Sequence, residues 1–154
     1  MRLKNALTRM LGLWARARRR PPWVTVDQML EDARRTLVRV TPDEARAAQA
    51  SGAVLIDIRS EIQRFNDGEV PGAARYPRNG LEWRVDPSCE HRDPAVACRG
   101  ARLILLCDEG FQSSLTAAAV RRFGLDATDV IGGFQAWRAD GLPVEPGRPA
   151  DPGS

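Results

Sequence analysis

The chain has one histidine, three cysteines and no long apolar run, and each scarcity removes a class of reading. His91 lies in a polar loop without an evident orienting partner, so a Cys–His hydrolase pair is poorly supported. Cys89, Cys98 and Cys107 cannot all pair, and their spacing matches no disulfide framework. Taken with His91 they spell Cys-x-His-x6-Cys-x8-Cys, which is not a common zinc spacing, so no metal is expected. No apolar stretch approaches the roughly 20 residues that span a bilayer. The positive N-terminus is not followed by an uninterrupted apolar segment and a small-residue cleavage site, so no secretory leader is read. Free thiols without a leader point to the reducing cytoplasm.

Acidic residues are missing from residues 1–22, which hold seven of the 23 Lys and Arg. The other 16 face all 20 Asp and Glu, so the remainder has a net charge of −4. A basic arm on a mildly acidic body is not the footprint of a specific nucleic-acid binder. Within the arm, Leu3, Leu7, Met10, Leu11 and Trp14 fall at helical spacing before Arg18-Arg19-Arg20-Pro21-Pro22 stops any helix. Two readings stand: a solvated extension, or a basic amphipathic helix that meets an anionic membrane surface or a protein partner. Met29 is an alternative start that would remove the arm.

At 154 residues the chain is one domain plus extensions. Val26, Met29, Leu30 and Ala33 read as a short helix, and Leu37-Val38-Arg39-Val40 as a short strand. Thr41-Pro42-Asp43-Glu44 opens a helix ending near Gly52, with a cap, a Pro at the first position and two acids. Ala53-Val54-Leu55-Ile56-Asp57 and Arg102-Leu103-Ile104-Leu105-Leu106 are nearly continuous apolar runs, as strands buried on both faces require. Ser60 caps another helix, Val70-Pro71-Gly72-Ala73 is a turn, and Leu81-Glu82-Trp83 a helical turn. Residues 114–123 and 134–139 read as helices around a strand at Asp129-Val130-Ile131. Strands alternating with helices give an α/β class with a mostly parallel central sheet flanked by helices. The expected division is a basic extension over 1–36, a domain over 37–146 and a flexible tail over 147–154. Trp83, Phe134 and Trp137 are expected in the core.

The strongest chemical signal is Cys107-Asp108-Glu109-Gly110-Phe111-Gln112-Ser113-Ser114, directly after a buried strand and directly before a helix. In open α/β sheets ligands bind at that edge. N–H groups at a helix start favour negative charge, so a thiol placed there is expected to present more of its nucleophilic thiolate. Gly110 permits a tight turn that aims successive N–H groups inward. Ser113 or Ser114 can cap the helix and donate to sulfur. A small buried cysteine at a strand end is the plain alternative.

The order of these features resembles the rhodanese (sulfurtransferase) family over roughly residues 37–144. Val54-Leu55-Ile56-Asp57-Ile58-Arg59 resembles its leading strand, and Gly68-Glu69-Val70-Pro71-Gly72-Ala73 a segment usually written Gly-His-Ile-Pro-Gly-Ala. The segment 103–113 resembles the strand and its six-residue active loop, and Gly132-Gly133-Phe134-Gln135-Ala136-Trp137 with Gly141-Leu142-Pro143-Val144 the closing signature. The resemblance implies that Cys107 takes sulfur from a donor as a persulfide. The N–H groups of residues 108–113 would hold it until an acceptor removes it, with no metal or organic cofactor. Asp57 and Arg59 have supporting roles: Arg59 as a structural ion pair with an acid such as Glu61, or as positive charge near the loop. Arg78 and Arg84 are candidates for substrate charge.

Departures from the pattern refine the expectation. Gln112 stands where the family often has arginine, and Asp108 and Glu109 follow the cysteine directly. Carboxylates facing the pocket oppose thiolate and anionic donors, which implies weak thiosulfate activity and suits a cationic or protein-borne partner; carboxylates facing solvent do not. Glu69, in place of histidine, is expected to affect only the surface. A Cys-x5-Arg phosphatase loop is disfavoured, because its arginine falls on Ser113. The rival of another class is a non-catalytic interaction or redox and persulfide-sensing module.

Overall fold

Two apolar runs make the centre of the sheet. In the computed structural model, which describes residues 23–149, Val54–Asp57 forms strand β1, Ala74–Arg75 forms β2 and Arg102–Leu106 forms β3. Asp126–Asp129 is β4. The order is β2-β1-β3-β4 and every pairing is parallel, with Asp57 opposite Leu106 and Leu105 opposite Asp129. Along β3, Leu103 and Leu105 enter one apolar layer while Ile104 and Leu106 enter the other. The strand period of two therefore serves two cores at once, and residues 103–106 are all apolar and buried.

Helices α1 (Val26–Arg35), α2 (Pro42–Ala50) and α3 (Glu61–Asp67) each begin with a capping box, at Thr25, Thr41 and Ser60. A single 3-10 turn, Arg78–Gly80, leads into α4 (Leu81–Val85); α5 is Gln112–Arg121 and α6 is Gly133–Ala139. Helices α4 and α5 bury Leu81, Val85, Ala117 and Val120 on one face of the sheet. Helices α2 and α6 bury Ala45, Phe134 and Trp137 on the other. Helix α1 packs on α5 rather than on the sheet. The result is a parallel sheet flanked by helices in one domain.

Several local expectations need correction. Residues 37–40 form no strand: only Val40 pairs, with Val130, because the cap at Thr41 ends the segment immediately. Strand β4 starts at Asp126 and not at Asp129, since pairing with β3 overrides the weak strand preference of Asp-Ala-Thr. Trp83 is 58% exposed, on the outer side of a five-residue helix whose Leu81 and Val85 take the core positions. Glu69 is not a surface residue: it is 3% exposed and receives the Arg148 guanidinium at 2.8 and 3.0 Å. Burial pushes its carboxyl up, but hydrogen bonds from Arg148 and the charges of Arg148 and Arg75 hold it below the usual range. Tail composition thus does not keep Arg148 off the domain. The basic arm of residues 1–22 lies outside the described residues. Among the described residues, no helix is long and apolar enough to cross a membrane.

Candidate active site

Because all four strands are parallel, their carboxyl ends gather at one edge, and Asp57, Cys107 and Asp129 arrive there together. Cys107 is the first residue beyond β3 and is 5% exposed. It lines a pocket of about 320 Å³ with Arg59, Gln63, Asp108, Glu109, Phe111 and Gln112. Its sulfur accepts the N–H of Gly110 at 3.1 Å and of Ser113 at 3.3 Å. The cradle expected from residues 108–113 therefore reaches Sγ itself through two of its amides. The N-terminus of α5 adds its positive dipole end.

Gly110 is the residue that makes this turn possible. At φ +81° it turns its N–H toward the sulfur and its carbonyl away from it. A Cβ there would lie 2.7 Å from the Gly132 amide nitrogen. Loop and closing turn are packed backbone to backbone, and the Phe134 N–H donates to the Cys107 carbonyl at 2.8 Å.

The two serines do not act as expected. Helix α5 begins at Gln112 with no side-chain cap. Instead, Ser113 Oγ and Ser114 Oγ both donate to Asp129 Oδ2, at 2.9 and 2.7 Å. With its proton directed at Asp129, Ser113 accepts the Cys107 S–H at 3.2 Å. The buried Asp129 carboxylate also pairs with Arg39 through Nε at 2.8 Å and Nη2 at 3.0 Å. Losing one member of such a buried pair costs roughly 3–5 kcal/mol, because the other is left unpaired.

Asp57 and Arg59 form their own buried pair, at 2.7 Å, so Arg59 is partnered by Asp57 and not by Glu61. The guanidinium lies 3.6 Å over the Phe134 ring and donates to the Gly68 carbonyl. Among the described residues, its Nη1 is the one buried side-chain polar atom without a hydrogen-bond partner. Asp57 also accepts the Arg59 backbone N–H at 3.0 Å, so it orders the turn after β1. Both readings of Arg59 are thereby joined: it is ion-paired, and it lines the cysteine's pocket.

The acidic pair divides. Asp108 Oδ1 accepts from Gln135 Nε2 at 2.9 Å, which ties it to α6, while Glu109 is exposed at the pocket mouth. Phe111 is also exposed, and Gln112 bridges this pocket to a larger one. His91 is exposed, and Cys98 sits beyond the other end of β3 near the C-terminus of α5. A five-residue strand at ~3.3 Å per residue keeps Cys98 too far away to resolve a disulfide with Cys107. Among the described residues, no cluster of three or more His, Cys, Asp or Glu could hold a metal ion.

The rhodanese-like domain family matches residues 41–140, which hold the cysteine, its loop and the closing glycine turn. The chain belongs to the rhodanese-like domain family. Thiosulfate sulfurtransferase GlpE of Pseudomonas savastanoi pv. phaseolicola is 29% identical over 102 residues, 66% of this chain and 87% of that protein. The HTH-type transcriptional regulator Rv0324 of Mycobacterium tuberculosis is 29% identical over 108 residues, 70% of this rhodanese-like chain but 44% of the regulator. A solved Rhodopseudomonas palustris protein of unknown function, described as a possible tyrosine phosphatase, superposes with a TM-score of 0.73. It is 29% identical and covers 82% of this chain and 100% of its own.

Sequence reasoning missed Arg34, Arg39 and Asp129. A carboxylate closing a buried strand at the same edge as Cys107 was a usable signal for Asp129. Nothing local marks the two arginines, which meet the loop 71 and 76 residues away in sequence.

Proposed function

We propose that this rhodanese-like domain is a sulfurtransferase in which Cys107 carries a sulfane sulfur as a persulfide. The observation that carries the reading is a thiol at the floor of an open pocket, with the Gly110 and Ser113 amides donating to its sulfur. In the first half-reaction the Cys107 sulfur attacks the outer sulfur of the donor. An S–S bond forms, the donor's own bond to that sulfur breaks, and the leaving group departs with the electron pair. In the second, a nucleophilic acceptor attacks the terminal sulfur and Cys107 leaves as thiolate. The electrons balance without an outside oxidant. The loop amides, with their positive ends toward the site, offset the negative charge of the persulfide.

The rim supports a class of donor and acceptor. Glu109 at the mouth disfavours dianions, so thiosulfate turnover is weak, although relatives bear that activity in their names. A second cavity of about 1040 Å³ shares Gln63 and Gln112 with the cysteine's pocket and brings Arg78, Arg84 and Tyr76. It has room for the body of a larger donor or acceptor, small molecule or protein-borne, in a cytoplasmic setting that keeps thiols reduced. Phosphoryl transfer is less well supported: where a Cys-x5-Arg loop has its guanidinium, Ser113 is buried on Asp129.

The test is direct. The chain is incubated with thiosulfate, 3-mercaptopyruvate and a persulfide donor, and Cys107 is examined by mass spectrometry. A gain of one sulfur atom on Cys107, absent in Cys107→Ser, is expected. No gain with any donor rejects the transferase reading and favours the sensing or interaction module, to which the similarity with a transcriptional regulator gives independent weight.

A further inference from the structure

The loop that presents Cys107 is held from outside the residues the family matches. The match begins at residue 41, yet the carbonyl of Gly110 receives Arg34 Nη2 at 2.9 Å and Arg39 Nη2 at 3.2 Å. Ser114 Oγ also approaches it, at 3.1 Å. Arg34 sits in the last turn of α1, and its Nε donates to Ser114 Oγ at 3.2 Å. Two prongs of one guanidinium thus bridge the loop and the start of α5. The same guanidinium lies 5.7 Å from the centre of the Phe111 ring, at the rim of the cysteine's pocket.

We infer that Arg34 of α1, supported by Arg39 and Asp129, is a positioning residue for Cys107: it pulls the Gly110 carbonyl away from the sulfur and so keeps the Gly110 N–H aimed at it. The Gly110 N–H and carbonyl belong to adjacent peptide units that meet at its Cα, so a carbonyl held outward limits how the N–H can turn, and an N–H aimed inward stabilises a negatively charged sulfur. Gly110 has no Cβ to restrict the rotation, so the choice is made by what holds its carbonyl. Two donors hold it, and both are cations. Hydrogen bonds from charged donors are the strong ones, and a guanidinium fork also fixes direction. The ion pair of Arg39 with Asp129 fixes the second cation, and Asp129 fixes Ser114, the other end of the Arg34 bridge. Burial and the neighbouring Arg39 push Arg34 down from its ordinary range, while Asp129 and Cys107 act in the opposite direction.

This inference rests on Cys107 being the reactive thiol of the proposed transfer, but its test needs no sulfur donor. The rate of Cys107 alkylation by iodoacetamide is followed against pH by peptide mass spectrometry. The full chain is compared with Arg34→Ala, Arg34→Lys and Arg35→Ala, and thermal unfolding is recorded for each. In Arg34→Ala the midpoint of the profile is expected to rise by about one pH unit, an about tenfold slower reaction at neutral pH. Arg34→Lys, which keeps the charge but not the fixed fork that reaches Ser114 and Gly110, is expected to restore less than half of the loss. Arg35, whose partners Glu31 and Asp32 are exposed on the same helix, serves as the control that leaves the profile in place. A folded Arg34→Ala variant with the parent's profile overturns the inference, and so does complete restoration by lysine. Should Arg34→Ala fail to fold, Arg34→Gln takes its place: a raised midpoint supports the inference and the parent's profile overturns it.

Discussion

Replacing Gly110 with alanine probes the loop's geometry in a way that separates two costs. The first is conformational: at φ +81° an L-residue with a Cβ is strained by about 1–2 kcal/mol. Against it stands a gain of about 0.4–1 kcal/mol, because alanine restricts the unfolded chain. The second cost is steric. The new Cβ would sit 2.7 Å from Gly132 N and 3.2 Å from both Gly132 Cα and Gly133 N. These are backbone atoms of a turn whose own Gly133 lies against the Cys107 and Asp108 carbonyls, so they cannot swing aside. Overpacking of that kind adds about 1–3 kcal/mol. The net expectation for Gly110→Ala is a loss of about 3 kcal/mol, or about 10 °C in melting temperature for a domain of this size. Gly52 supplies the reference: its φ is +101°, but nothing lies within 4 Å of its Cβ position. Gly52→Ala should therefore lose only about 1 kcal/mol, the strain less the unfolded-state gain. Both variants are melted by circular dichroism, and the alanine at 110 is also assayed for sulfur loading on Cys107, which should fall sharply. Equal destabilisation of the two variants, or undiminished loading at 110, would refute the claim that loop and closing turn are locked together.

Two further expectations concern charge. Changing Asp108 and Glu109 together to lysine should speed loading from thiosulfate by about 3–10-fold at low salt, and the gain should shrink at ~0.5 M salt. Unchanged kinetics would mean that neither carboxylate acts on the pocket. Tyr76, the chain's one tyrosine, can be titrated by its absorbance alone. Burial, then the hydrogen bond to Asp93, raises it from 10.0 to about 12 in the folded protein. The fold retains a proton that the unfolded chain releases near pH ~10. This contribution to stability is thus complete below that pH and is lost as pH rises toward about 12. Asp93→Asn should lower the midpoint without returning it to 10.0, since burial is the larger cause. A native titration at the ordinary value would count against the buried pair.

What could be read without coordinates was whatever depends on neighbours in the chain. The runs at Val54 and Arg102 are strands because a stretch apolar on both faces has few other places to be. The boxes at Thr41 and Ser60 begin helices because their partners are three residues on. Cys107 stands at a strand's exit beside a glycine loop, and that pattern marked the candidate site. Trp83 misled, since a five-residue helix buries only a narrow stripe and bulk did not say which residues fill it. Tertiary structure decided what rests on separation: that Glu69 is buried beneath Arg148 and that Asp108 turns to Gln135. It also assembled Arg34, Arg39 and Asp129 beneath the loop, from three segments that share no local pattern. Short-range order follows from periodicity and caps, which are printed in the residues themselves. Which distant charge meets which carbonyl is settled only when the parallel sheet brings its strand ends to one edge.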